Sequence, residues 1–421
     1  MLDIKFIREN KDIVIAGATK KHIDIDIEAL IALDDRRLEL LKQIEAIRAE
    51  QNEMSRRISI EHDTIARNQM IEEMKIVKED MNVKDEEWKE IMKKWQEIML
   101  TVPNVPDISV PDGASDEENV EYKVWGEKTN FTFTPKDHVE LMTALDLADF
   151  ERGTKVAGFR GYFLKNAGAL LEMALWRYFM DALVKKGFSP MIVPSLVNRA
   201  TLFGTGYLPQ GEEDLYKTQD SDYLAGTSEV ATMAYYSGEV IEKEKLPLKF
   251  ASFSTCFRRE AGSHGKDVKG LFRVHEFYKL EQVILTEASH ETSVKFHEEI
   301  TANVEELLQS LNLPYRIVLN CGGDLGLGQA KKYDIEVWVP SMEKYRETHS
   351  ASYFHDFQTR RLNIRYKDTD GKLRYAHSLN NTAVATPRIL ISLIENNQQE
   401  DGSILIPEVL RPYIGFDKIE K

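Results

Sequence analysis

The notable cluster in this 421-residue chain is a hairpin-like stretch that carries FRRE (257–260) and RVHEFYKLE (273–281). The flanking segments LKFASFSTCFRRE (248–260) and VHEFYKLEQVILT (274–286) read as two strands, joined by a polar loop containing Gly262, Gly265 and Gly270. Alternate residues of a strand share a face. Arg258 and Glu260 therefore point together, and so do Arg273, His275, Phe277, Lys279 and Glu281. Guanidinium groups, a ring and carboxylates on one sheet face can hold a nucleotide: arginine grips phosphate oxygens in a bidentate way and a ring stacks on a base. A solvated strand face laced by cross-strand ion pairs fits the same spacing. Arg388 lies near the start of a helix, where anions are favoured, although an arginine there is commonly solvated. Thr227-Ser228-Glu229 reads first as a helix cap with an acidic first turn. Common catalytic signatures are missing. The Gly265–Lys266 pair has Glu260 where a P-loop needs its first glycine and Asp267 where it needs a hydroxyl, and no GxGxxG, HExxH or GxSxG is present.

These residues sit on mixed helical and strand patterns. KNAGALLEMALWRYFMDALVKKG (165–187) is an amphipathic helix with a glycine stop, and FSPMIVPSLV (188–197) is a strand. Residues 288–312 and 385–399 read as helices, and KKYDIEVWVP (331–340) and TRRLNIRYKD (359–368) as strands. The glycine-rich GGDLGLG (322–328) reads as a loop. The pattern predicts an α+β fold, an antiparallel sheet flanked by helices. Residues 28–100 are different: no Gly, no Pro, 18 acidic and 13 basic residues. Leu30, Leu33, Arg37, Leu40, Ile44, Ile47, Gln51, Met54 and Ile58 step by three and four, as do Met70, Met74, Val77, Met81, Lys84, Trp88, Ile91, Trp95 and Ile98. That is an a/d seam on two helices, joined by the short polar stretch 59–68 and hence antiparallel. A helix of about 30 residues reaches roughly 45 Å. A dimerisation coiled coil and an RNA-reaching arm both fit. The proline-rich stretch 101–115 ends the arm, dividing the chain into residues 1–105 and 106–421.

A net charge of −15 argues against coating nucleic acid by general positive charge, though not against a local, shape-reading contact with RNA. Two cysteines make neither a disulfide framework nor a multi-cysteine zinc site. Charges interrupt the N-terminal MLDIKFIRENKDIV, and no apolar run has the ~18 residues of a membrane helix. A cytoplasmic protein with no membrane or DNA partner is expected.

The motifs, taken together and in order, resemble the seryl-tRNA synthetases of the bacterial and eukaryotic type, over nearly the whole chain. The hairpin is similar to motif 2 of class II aminoacyl-tRNA synthetases in its seryl form. LVNRATLFGTGYLPQGEEDLYK (196–217), the Thr227–Glu229 triplet, GDLGLGQAKKYDIEVWVP (323–340), DFQTRRLNIRY (356–366) and IENNQQEDGSILIPEVLRPY (394–413) resemble family segments in order and spacing. KGFSPMIVPSLV resembles the dimer-forming motif 1, with Pro194 as its proline. The class I signatures HIGH and KMSKS are absent.

The resemblance implies a homodimeric class II enzyme with an N-terminal coiled-coil arm. It would form seryl-adenylate from ATP and L-serine with Mg²⁺, then pass serine to the 3′ end of tRNA-Ser, and of tRNA-Sec where present. Carried over by position, Arg258 holds the α-phosphate and also belongs to the serine site, Glu260 helps fix the adenosine part, Arg273 is a further ATP-binding residue, Phe277 stacks on adenine and Arg388 reaches the outer phosphates. Glu347 and Ser350 contact Mg²⁺. Thr227 and Glu229 hold the serine ammonium, Glu281 and Thr382 read its hydroxyl, and Lys279, Arg273 and Asn380 lie close by. The arm would meet the long variable arm of tRNA-Ser by shape, with Arg48, Arg56, Arg57 and Arg67 toward its tip. The chain departs from the family's usual ExSSCSN at His349, Ala351 and Tyr353, and from a common motif 3 glycine at Pro387. A paralogue with altered amino-acid choice, a non-catalytic tRNA binder and a ligase for a carrier protein are the rival readings. Relatives of the last kind lack the long arm and use zinc.

Overall fold

A computed structural model describes residues 1–262 and 269–421. Gly265, Lys266 and Asp267 of the expected loop lie outside the described residues. The chain divides into two compact units. One comprises Leu2–Thr19 and Ile23–Pro103; the other comprises Met1, Lys20–His22 and Asn104–Lys421.

The first unit is dominated by two long helices, α1 (Ile27–Ile60) and α2 (Thr64–Thr101). Their N-termini are capped by carboxylates: Asp26 accepts from the Ala29 amide and Asp63 from the Ile65 amide. Both helices extend into the expected connection, which shrinks to residues 61–63. The a/d seam is the covered one, with Leu30, Leu40 and Ile44 fully buried and the remaining seam residues half-buried. Its polar members are accommodated. Arg37 pairs with the buried Asp34 at 2.7 Å and stacks over Trp95 at 5.1 Å, and Lys84 donates to Gln43 at 3.1 Å. Arg56, Arg57 and Arg67 are exposed beside the turn, and Arg48 is exposed further along α1.

The second unit is built on an eight-stranded sheet: β1 (Val120–Trp125), β2 (Ser189–Ile192), β3 (Leu248–Phe257), β4 (Glu276–Thr286), β5 (Tyr315–Leu319), β6 (Lys331–Val339), β7 (Lys344–His355) and β8 (His377–Thr386). The strand order is β1-β5-β6-β7-β8-β4-β3-β2. Neighbours are antiparallel except the parallel β2–β3 edge. Three helices, α3 (Asn166–Lys185), α5 (His290–Ser310) and α7 (Arg388–Asn396), bury apolar stripes in the main core. Phe179 and Leu183, Ile300 and Val304, and Ile389 and Leu393 meet Leu280, Ile284, Ile335 and Leu379 there. Two shorter helices, α4 (Ser228–Ala234) and α6 (Phe357–Leu362), also belong to this unit. Alternation along β4 separates its faces. Leu280 and Ile284 enter the main core, and Gln282 donates to the Ile300 carbonyl of α5 at 3.0 Å. Val283 and Leu285 join a second apolar cluster with Phe250 and Tyr366.

Several expectations are corrected. TRRLNIRYKD is not one strand: Phe357–Leu362 is helical, and only Arg365–Lys367 is extended. Asn363 turns the chain between them with φ +54°. The helix expected over 385–399 begins at Arg388, because residues 385 and 386 complete the central strand β8. β7 and β8 carry no apolar alternation. Some of their polar side chains find partners across the fold, as where Asn381 donates to the Ile300 carbonyl at 2.7 Å.

Candidate active site

A cleft of about 440 Å³ opens over β4, β7 and β8. It is walled by the Thr205–Gly211 region, the loop 326–329 and the first residue of α7, and Arg258, Glu260, Phe277, Lys279, Glu281, Glu229, Glu347, Ser350, Asn380, Thr382 and Arg388 all line it. Two breaks in register aim these side chains. In the β7–β6 pairing the register shifts between Ile335↔His349 and Glu336↔Glu347, which leaves Thr348 as an extra residue. Glu347 and Ser350, at odd spacing, thereby both line the cleft. In the β4–β8 pairing the shift at Leu280/Glu281 leaves Ala383 extra, and Thr382 sits opposite Glu281. Bulges beside a site commonly re-aim a side chain in this way.

One end of the cleft is acidic and enclosed. Thr382 Oγ1 donates to Glu281 Oε1 at 3.3 Å, and Lys279 forms an ion pair with the same oxygen. Glu281 Oε2 is buried and makes no hydrogen bond to the described residues. Glu229 is braced by Gln358, which donates at 2.7 Å, and by the Tyr207 hydroxyl at 3.0 Å. Burial, and then the like charge of Glu281, push the Glu229 carboxyl up to about 7. Two acids against one buried lysine leave this end receptive to a small cation.

The other end is cationic. Arg258 lies with its guanidinium 5.3 Å from the Phe277 ring centre and donates to the Gly226 carbonyl at 3.3 Å. Arg388 donates to the Glu347 carbonyl at 2.9 Å and stands 3.6 Å from the Glu347 carboxylate. The low-dielectric walls oppose ionisation of Glu347. Arg388, Lys332, Arg258 and Lys279 outweigh that effect and hold its pKa below the usual range. Desolvation lowers the Arg388 pKa, with Glu347 opposing it. Planar, fixed guanidinium groups of this kind match phosphate oxygens.

Not every expected residue reaches the cleft by the expected route. β3 ends at Phe257 and β4 begins at Glu276, so Arg258, Glu260, Arg273 and His275 lie off the strands and strand alternation does not govern them. Glu260 has φ +54° and forms an ion pair with Arg273 at 2.9 Å. His275 turns away: it bonds the Arg258 carbonyl at 3.0 Å and lines a separate cavity with Glu172 and Trp176. Thr227 is the α4 cap, accepting from the Glu229 amide at 3.2 Å, and does not itself line the cleft. Tyr207 and Gln358, which hold Glu229, had no sequence signal beyond lying inside resemblance segments. Of the departures from the family pattern, His349, Ala351 and Tyr353 are buried and outside the cleft wall, and only Pro387 lines it.

Comparison with known proteins agrees with this arrangement. The model of the seryl-tRNA synthetase N-terminal domain matches residues 1–106, and that of the class II tRNA synthetase core domain (G, H, P, S and T) matches residues 214–397. The serine–tRNA ligase of Deinococcus radiodurans is 45% identical over 99% of this chain and 98% of its own length. A seryl-tRNA synthetase from Pyrococcus horikoshii, solved with ATP, superposes with a TM-score of 0.90 at 37% identity, covering 100% of this chain and 99% of its own. The cytoplasmic serine–tRNA ligase of Naegleria fowleri, solved with AMP, gives 0.88 at 29% identity, over 100% of this chain and 99% of its own. With an N-terminal unit dominated by two long helices, a class II core and relatives matched end to end, the chain belongs to the seryl-tRNA synthetase family.

Proposed function

We propose that this protein is a serine–tRNA ligase. It activates L-serine with ATP and transfers it to the 3′ end of tRNA-Ser, and of tRNA-Sec where present. The observation that carries this reading is the polarity of one cleft: an acidic, enclosed end suited to a small amino acid and an arginine-lined end suited to a triphosphate. In the first step the serine carboxylate attacks the α-phosphorus in line, the bond to the β-phosphate breaks and diphosphate leaves. Arg258 holds the α-phosphate and the serine carboxylate side by side, and Arg388 takes the outer phosphates. Phe277 stacks on adenine, with Glu260 and its partner Arg273 fixing the adenosine side. Positioning and charge stabilisation carry this step without a general base. Glu229, supported by Thr227, receives the ammonium. Glu281 and Thr382 take the hydroxyl, with Lys279 and Asn380 beside them. In the second step a terminal ribose hydroxyl attacks the acyl carbon and AMP leaves.

Glu347 and Ser350 fit a hard cation shared with phosphate oxygens: one ionised carboxylate and one hydroxyl face the cleft, which suits Mg²⁺. Bound there, Mg²⁺ would neutralise charge on the phosphates. We further assign residues 1–105 to tRNA binding, with Arg48, Arg56, Arg57 and Arg67 contacting the tRNA, and 106–421 to catalysis. We also assign a homodimer joined through motif 1, where Ile192 (87% exposed) and Leu196 leave an apolar surface, and a cytoplasmic location. Amino-acid-dependent ATP–diphosphate exchange across a panel of amino acids tests the central assignment. Exchange with serine alone, or weakly also with threonine, supports it. Exchange with another amino acid favours the altered paralogue, and none at all the non-catalytic tRNA binder.

A further inference from the structure

Gly326, Leu327, Gly328 and Gln329 line one side of the cleft, and two residues far away in sequence between them donate hydrogen bonds to all four of their carbonyls. Lys21 Nζ donates to Gly326 and Leu327 at 3.0 Å each and to Gln329 at 2.6 Å. The Asn104 amide donates to Leu327 at 2.9 Å. Its side chain donates to Gly328 at 3.0 Å and to the Phe354 carbonyl at 2.8 Å. Lys21 and Asn104 belong to the catalytic unit, although in sequence they flank the helices α1 and α2. The approach is close: no Cβ would fit between Gly322 and the Lys20 carbonyl, and one at Gly328 would press on the Phe357 ring.

Lys21 is 4% exposed. Among the described residues no carboxylate pairs with it, and burial draws its pKa down to about 7. An ammonium has three donors, and here three carbonyls take them. Burying a cation without a counter-charge is costly, so this tripod is a poor device for stability alone. It does determine where a cleft wall stands. Gln329 in turn donates to Ser352 Oγ at 2.8 Å, and Ser352 is the register partner of Asn380 on β8. Asn380 precedes Thr382 by two residues on β8, so the clamped wall is tied through Ser352 to the strand that carries Thr382.

We propose that Lys21 and Asn104 are positioning residues that hold the 326–329 wall in place and thereby set the affinity of the acidic end for its amino acid. The choice of serine as that amino acid rests on the functional reading above. The test compares full-length Lys21→Met and Asn104→Ala with the parent. In ATP–diphosphate exchange, KM for serine rises roughly tenfold or more, while kcat and KM for ATP stay within about threefold. Without any substrate, amide deuterium exchange over 325–330 accelerates in both variants. A fall in kcat with KM for serine unchanged would be the mark of a merely structural role and overturns the proposal. So does unaltered deuterium exchange over that segment. If Lys21→Met does not fold, Asn104→Ala alone supplies both readouts. If the parent does not activate serine, the functional reading fails, and the substrate-free deuterium exchange still judges the clamp.

Discussion

Serine differs from alanine by one hydroxyl, and Glu281 is the group we propose reads it. Its side chain is 4% exposed; Oε1 is engaged by Thr382 and Lys279, and Oε2 makes no hydrogen bond to the described residues. A hydrogen bond to a charged group contributes about 1.5–3 kcal/mol. Glu281→Ala removes that acceptor and also releases Lys279 and Thr382. The expected loss of transition-state stabilisation with serine is therefore roughly 2–4 kcal/mol, or about 30- to 1,000-fold in kcat/KM. Alanine, which makes no such bond, loses less, so the preference for serine over alanine shrinks. Breaking a buried pair costs about 3–5 kcal/mol of stability, so a thermal melt and Glu281→Gln accompany the experiment. The amide keeps an acceptor oxygen and is expected to fall between parent and alanine variant. The assay is ATP–diphosphate exchange with serine, threonine, glycine and alanine. A folded Glu281→Ala protein within threefold of the parent on serine would refute the reasoning, as would a parent that activates alanine as well as serine.

Arg258→Lys keeps the charge but loses the planar fork; serine-dependent exchange is expected to slow at least roughly a hundredfold in a folded protein, and an unchanged rate would mean the arginine does not hold phosphate. Glu229, raised to about 7 by burial and then by Glu281, must be ionised to hold an ammonium. Below pH ~7 kcat/KM for serine should therefore drop about tenfold per pH unit, and Glu229→Gln should abolish that limb of the profile; a parent profile flat between pH 6 and 8 contradicts the assignment. Replacing residues 44–84 by a short turn should leave exchange within a few-fold and the protein dimeric by sedimentation, yet collapse charging of tRNA-Ser. An inactive monomer, or full charging, would count against the arm as the tRNA contact.

Much of the fold is legible in the residues. The a/d steps from Leu30 to Ile58 and Met70 to Ile98 specify the two helices and their shared seam, because a 3.6-residue period records which side chains lie on one stripe. The Lys165–Gly187 helix is visible for the same reason, and the strand pair at 248–286 through its partial two-residue alternation and the glycine-bearing loop between. Strands β7 and β8 are not. Ser378, Asn380, Asn381 and Thr382 look like loop residues until α5 and the cleft supply their partners, as the Asn381 bond to the Ile300 carbonyl does.

For the site, residue types and their order specify the chemical inventory: the arginines, the ring, the paired carboxylates and the family pattern that orders them. They also specify the local devices, such as the Thr227 cap and the hairpin. Tertiary structure decided which of these groups face one another. The extra residues Thr348 and Ala383 reverse the phase of two strands, so Glu347 joins Ser350 and Thr382 meets Glu281. His275, placed with the cleft residues by alternation, lies off the strand and turns away. Gln358 and Tyr207 reach Glu229, and Lys21 reaches residues 326–329, across more of the chain than any local period spans. The physical reason is that periodicity records neighbours along one element. Register, bulges and the satisfaction of buried polar groups depend instead on pairings between distant segments, which form only when the whole sheet assembles.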